Sequence, residues 1–115
     1  MKRILLVEDD HDIAEVITFT LEKAGFQVMK ADSAEVALEL FRFQKPDLVL
    51  SDFKMPGMDG DDFARTIREE NPHIPIIILS GFSGELDELP VNFILNKPVD
   101  QTRLLQLVQR LLDVA

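Results

Sequence analysis

The run Ile74-Pro75-Ile76-Ile77-Ile78-Leu79 constrains the fold most. It is far shorter than the roughly 20 apolar residues needed to cross a bilayer. It also lacks the apolar/polar alternation of a strand with one wet face, so it predicts a central strand covered on both sides. Shorter apolar runs at 3–7, 48–51 and 93–95, and a weaker one at 26–31, read as further strands. Between them the apolar period changes from strand to helix. Ile13, Val16, Ile17, Leu21 and Ala24 predict a first helix over 11–24, with Asp10 as N-cap and Gly25 as stop. Asp32 with Glu35 predicts a capping-box start for a second helix buried through Ala34, Ala37, Leu38 and Phe41. A third helix opens at Asp59-Gly60, buries Phe63, Ala64 and Ile67, and ends at Asn71-Pro72. Asp100 caps a last helix carrying Leu104, Leu105, Leu107, Val108, Leu111 and Leu112. Residues 83–91, broken by Gly84 and Pro90, have room for one or two helical turns at most. Strands alternating with helices predict one α/β domain over 1–115, a doubly wound parallel sheet with right-handed crossovers.

At 115 residues there is no room for a second domain, and no output module is visible in the chain. Twelve Lys and Arg against 21 Asp and Glu leave a net charge of −9, which disfavours direct contact with nucleic acid or anionic lipid. The absence of Cys excludes disulfides and thiolate metal sites. Glu8-Asp9-Asp10 interrupts the apolar N-terminus before it could serve as a signal peptide, so the chain reads as soluble and cytoplasmic.

Open parallel sheets bind ligands beyond the carboxyl ends of their strands. The polar residues at those ends are Glu8 and Asp9, Asp52, Ser80 and Lys97. Converging carboxylates repel each other, and a hard divalent cation with oxygen ligands relieves that repulsion. Mg²⁺ is the natural candidate, because it accepts one or two carboxylates and fills its remaining positions with water and phosphate oxygens. A carboxylate beside a metal ion and an ammonium is the arrangement needed to form an aspartyl phosphate.

Val7-Glu8-Asp9-Asp10, the stretch Asp52-Phe53-Lys54-Met55-Pro56-Gly57-Met58-Asp59-Gly60, Leu79-Ser80-Gly81 and Lys97-Pro98 occur in an order that resembles the receiver domain of two-component response regulators. The likeness covers essentially the whole chain. It implies a flavodoxin-like five-stranded sheet of order 2-1-3-4-5. It also implies that Asp52 accepts a phosphoryl group from a histidine kinase or histidine phosphotransfer protein. Asp9 and Asp52 would bind Mg²⁺ directly, Glu8 through water, and Lys54 through its backbone carbonyl. Ser80 and Lys97 would read the phosphoryl group, and Gly81 would leave it accessible. Such a domain catalyses its own phosphotransfer and autodephosphorylation and is not a conventional turnover enzyme.

Each residue also has a plainer reading: acids favoured at a helix start, turn formers at Pro56, Gly57 and Gly60, and surface histidines at His11 and His73. The competing function is a degenerate receiver that binds partners without phosphorylation. An aspartyl phosphatase would need a second acid two residues past Asp52, where Lys54 stands. Two departures from the family pattern stand out. Lys97 follows Ser80 by only seventeen positions, implying a short or degenerate fourth helix like that of receivers attached to sensor kinases. Ile94 occupies the position three before the Lys where an aromatic is common, with Phe93 one earlier. Output is therefore expected through the loop 82–91 and the last helix, whose wide apolar arc from Leu105 to Leu107 and Val114 suggests a homodimer or output contact over 82–112.

Overall fold

The computed structural model describes residues 1–55, 57–81 and 89–113. Strands β1 (Arg3–Val7), β2 (Gln27–Ala31), β3 (Leu48–Asp52), β4 (Ile76–Ser80) and β5 (Phe93–Asn96) form one parallel sheet in the order β2-β1-β3-β4-β5. Helices α1 (His11–Lys23), α2 (Ala34–Gln44), α3 (Gly60–Glu70) and α4 (Gln101–Leu111) cover its faces. A two-residue antiparallel ribbon, Lys54–Met55 with Met58–Asp59, lies between β3 and α3.

Alternation along the strands divides the core into two layers. Ile4, Leu6, Leu48, Leu50, Ile77 and Leu79 pack against Ile17 and Leu21 of α1 and Leu104 and Val108 of α4. Their neighbours Leu5, Val7, Val49, Ile76 and Ile78 pack against Ala37 and Phe41 of α2 and Phe63 and Ile67 of α3. All four residues Ile76–Leu79 are buried, as the triple isoleucine requires. The pairings Val7↔Ser51, Asp52↔Leu79 and Ser80↔Asn96 align the strand ends along one edge.

The expected helix ends hold at α1, where the Asp10 side chain accepts from the Asp12 and Ile13 N–H groups and Gly25 takes φ +98° beyond the C-cap. They also hold at α4, where Asp100 accepts from the Arg103 N–H. The cap of α2 falls one residue later than expected: Ser33, not Asp32, accepts from the Val36 N–H. In α1 the buried stripe uses Ala14 and Thr18 in place of Val16, which is 52% exposed.

Between β4 and β5, residues 89–92 are not helical, and the rest of the expected short helix, 82–88, lies outside the described residues. Arg68 secures the near end of this connection by donating to the carbonyls of Pro90 at 3.1 Å and Ile74 at 2.7 Å, and to Asn92 Oδ1 at 3.2 Å. Along the wide apolar arc of the last helix Leu104, Leu107, Val108 and Leu112 are buried, and Leu105 and Leu111, half-buried, pack against the same core. Val114, at its margin, lies outside the described residues. Phe93 faces the α1/α4 layer, its ring 5.3 Å from the Arg103 guanidinium, while Ile94 faces the opposite layer.

Candidate functional site

Each residue at the sheet edge is held by the chain immediately around it. Glu8 extends the β1–β2 ladder by one bond, its N–H donating to the Ala31 carbonyl at 3.0 Å, and its side chain is buried. Asp9 is exposed, and Asp10 serves the helix cap. Asp52 ends β3, and the next N–H, that of Phe53, donates to the Leu79 carbonyl at 2.9 Å. The chain then folds back so closely that the Gly60 N–H donates to the Phe53 carbonyl at 2.6 Å. A Cβ at Gly60 would collide with the Phe53 backbone, which explains the glycine where α3 begins. The Lys97 N–H donates to the Ser80 carbonyl at 2.8 Å, just before the cis Lys97–Pro98 bond.

One carboxylate oxygen each from Glu8, Asp9 and Asp52 lie within 4.8 Å of one another. Lys97 reaches across them, with Nζ 3.1 Å from Glu8 Oε1 and 2.5 Å from Asp52 Oδ1. The second is an ion pair in which Asp52 Oδ1 is buried. Beside it opens a cleft of about 310 Å³, lined by Asp52, Phe53, Lys54, Leu79, Ser80, Gly81 and Lys97. The structure thus brings together Glu8, Asp9, Asp52 and Lys97, and sets Ser80, Gly81 and Lys54 around the same cleft. Among the described residues, no atom lies within 4 Å of where a Cβ at Gly81 would stand. Phe53 and Leu79, each adjoining a polar residue of the site in the sequence, form apolar walls of the cleft.

Charge is distributed unevenly over the two buried acids. Burial first and a hydrogen bond with Glu8 second raise the Asp52 carboxyl to about 7, Lys97 offsetting both only in part. Burial would also raise Glu8, but hydrogen bonds with Asp52, the Asp10 N–H and Lys97 hold it below its ordinary value. Burial would lower Lys97, yet Asp52 and Glu8 together hold its ammonium above its usual range. The one ammonium cannot neutralise both acids, and the pair holds a proton more readily on Asp52 than on Glu8. Hard oxygen donors left in this condition fit a divalent cation such as Mg²⁺.

The family model of the response regulator receiver domain matches residues 4–109. The chain belongs to this family. It is 36% identical over 119 residues to Protein PilH of Pseudomonas aeruginosa, covering 97% of this chain and 98% of PilH. The response regulator TrrA of Thermotoga maritima, solved in complex with Mg²⁺-BeF, superposes with a TM-score of 0.89 at 32% identity, covering 96% of this chain and 99% of TrrA. The signal receiver domain of a signal transduction histidine kinase from Syntrophus aciditrophicus superposes at 0.91 with 31% identity, over 98% and 91% of the two chains. Against several larger curated regulators this receiver domain spans only 24% to 38% of their length. Among the described residues no helix is long and apolar enough to cross a membrane.

Proposed function

We propose that Asp52 accepts a phosphoryl group from a phosphohistidine of a histidine kinase or histidine phosphotransfer protein, and that the phosphorylated domain regulates a partner or an attached domain. The observation that carries this reading is the Glu8/Asp9/Asp52 group with Lys97 laid across it at the mouth of the cleft. An Asp52 carboxylate oxygen attacks phosphorus as the P–N bond breaks, and the bonding pair returns to the imidazole nitrogen. Asp9, Asp52 and the Lys54 carbonyl would hold Mg²⁺, with Glu8 acting through water; when bound, the ion neutralises charge on the phosphoryl oxygens. Lys97 and the Ser80 hydroxyl supply two donors to the product. Charge-assisted hydrogen bonds of roughly 1.5–3 kcal/mol each are comparable with the about 5.5 kcal/mol that moves a two-state equilibrium from 1:99 to 99:1.

Incubation with acetyl phosphate and Mg²⁺, followed by mass spectrometry, tests the reading. The wild type is expected to gain one phosphoryl group and Asp52→Asn none. Incorporation that survives the substitution would overturn the assignment of Asp52. Failure of the wild type to incorporate would favour a phosphorylation-independent interaction module.

A further inference from the structure

Edge strand β5 carries Lys97 to the carboxylates, and its register decides where that ammonium falls. The strand has four residues, pairs only with β4 among the described residues, and buries Leu95 alone. Phe93 and Leu95 face one apolar layer and Ile94 the other, so apolar alternation by itself separates neighbouring registers only weakly. A one-residue slip would nevertheless turn every side chain of the strand over and carry Lys97 away from Glu8 and Asp52.

What fixes the register is polar and lies at the opposite end of the strand. The Asn92 N–H donates to the Ile76 carbonyl at 2.9 Å, as a parallel ladder would have it. Continuing that ladder, the Ile76 N–H would donate to the Pro90 carbonyl. Instead it donates to Asn92 Oδ1 at 2.9 Å, and the Pro90 carbonyl accepts from Arg68 Nε at 3.1 Å. Arg68 Nη2 reaches the same Oδ1 at 3.2 Å, so one side-chain oxygen joins the start of β4 to the last turn of α3. Ile76 is fully buried, and in any other register its N–H would lose this acceptor, which burial makes costly.

We propose that Asn92, oriented by Arg68, is a positioning residue for Lys97: it sets the register of β5 and so places the ammonium on the carboxylates at the far end of the strand. The inference rests on the role proposed above for Lys97 at the phosphoryl group.

Amide hydrogen exchange and the rate of phosphoryl incorporation from acetyl phosphate with Mg²⁺, measured on the full chain, test this in wild type, Asn92→Ala and Asn92→Asp. The alanine variant is expected to speed exchange of the Lys97 N–H, which donates to the Ser80 carbonyl, by about tenfold, with Leu6 and Leu50 in the sheet centre unchanged. It is expected to slow incorporation by about tenfold as well. Asn92→Asp keeps the acceptor oxygen and is expected to restore both. Exchange that is unchanged at Lys97, or that rises equally across the sheet, overturns the proposal, as does incorporation at the wild-type rate in Asn92→Ala or a failure of Asn92→Asp to restore it. A wild type that takes no phosphoryl group overturns the reading of Asp52 and this inference with it, whereas a failure confined to the variants overturns the inference alone.

Discussion

Burial of Asp52 beside Glu8 raises its carboxyl to about 7, and that shift sets the sign of a stability effect. The folded state holds this proton more tightly than the unfolded chain, so raising the pH from the unfolded value of 3.8 through the folded value progressively removes stability. Glu8, held below its ordinary value, works in the opposite sense over a lower window. Asp52→Asn removes the ionisation without stranding the ammonium, because Lys97 keeps Glu8 at 3.1 Å. In EDTA at about pH 8, the variant is expected to melt higher than wild type by about 4–8 °C per kcal/mol recovered, with the gap closing toward pH 4. A lower melting temperature at neutral pH would mean that the charge contact of Lys97 with Asp52 outweighs the cost of burying both acids.

At the scale of elements, Arg68 shows what the sequence conceals. In a sequence scan it is one cation in the last turn of α3, where the helix dipole favours it anyway. In the fold its guanidinium gathers the carbonyls of Pro90, Asn71, Pro72 and Ile74 and the side chain of Asn92, joining α3 to the start of β5. Arg68→Ala would leave partly buried carbonyls without a charged donor and is expected to cost about 2–4 kcal/mol in urea melts. Amide exchange should rise first in residues 89–92; unchanged exchange there would show that other contacts hold this connection. Local signals announced the caps at Asp10 and Asp100 and the stop at Gly25, because those devices act within a few residues. The shift from Asp32 to Ser33 and the exposure of Val16 depend on how a helix is rotated against the sheet. The same applies to the last helix, whose wide apolar arc buries Leu104, Leu107, Val108 and Leu112 against the core shared with the sheet and α1 and leaves Leu105 and Leu111 half-buried.

For the whole molecule, the strand ends Glu8, Asp52, Ser80 and Lys97 could be listed from sequence, because parallel strands all finish at one edge. Their mutual distances were not legible, nor was the use of Lys97 as counter-ion to two acids, since these depend on registers such as Asp52↔Leu79. The cation proposed for that shared edge would couple global stability to its own concentration. An ion that binds only the folded chain adds about 1.4 kcal/mol per tenfold excess over its Kd. Mg²⁺ is therefore expected to raise the melting temperature of the wild type in proportion to the logarithm of its concentration. Asp9 is exposed whereas Asp52 is buried, so the two substitutions should separate. Asp9→Asn is expected to leave the metal-free melting temperature nearly unchanged and to abolish most of the Mg²⁺ increment. Asp52→Asn should raise the metal-free value and abolish the increment as well. Calorimetric scans of the three proteins, with and without Mg²⁺ at matched ionic strength, would show this pattern; a full increment retained by Asp9→Asn would remove Asp9 from the metal-binding group.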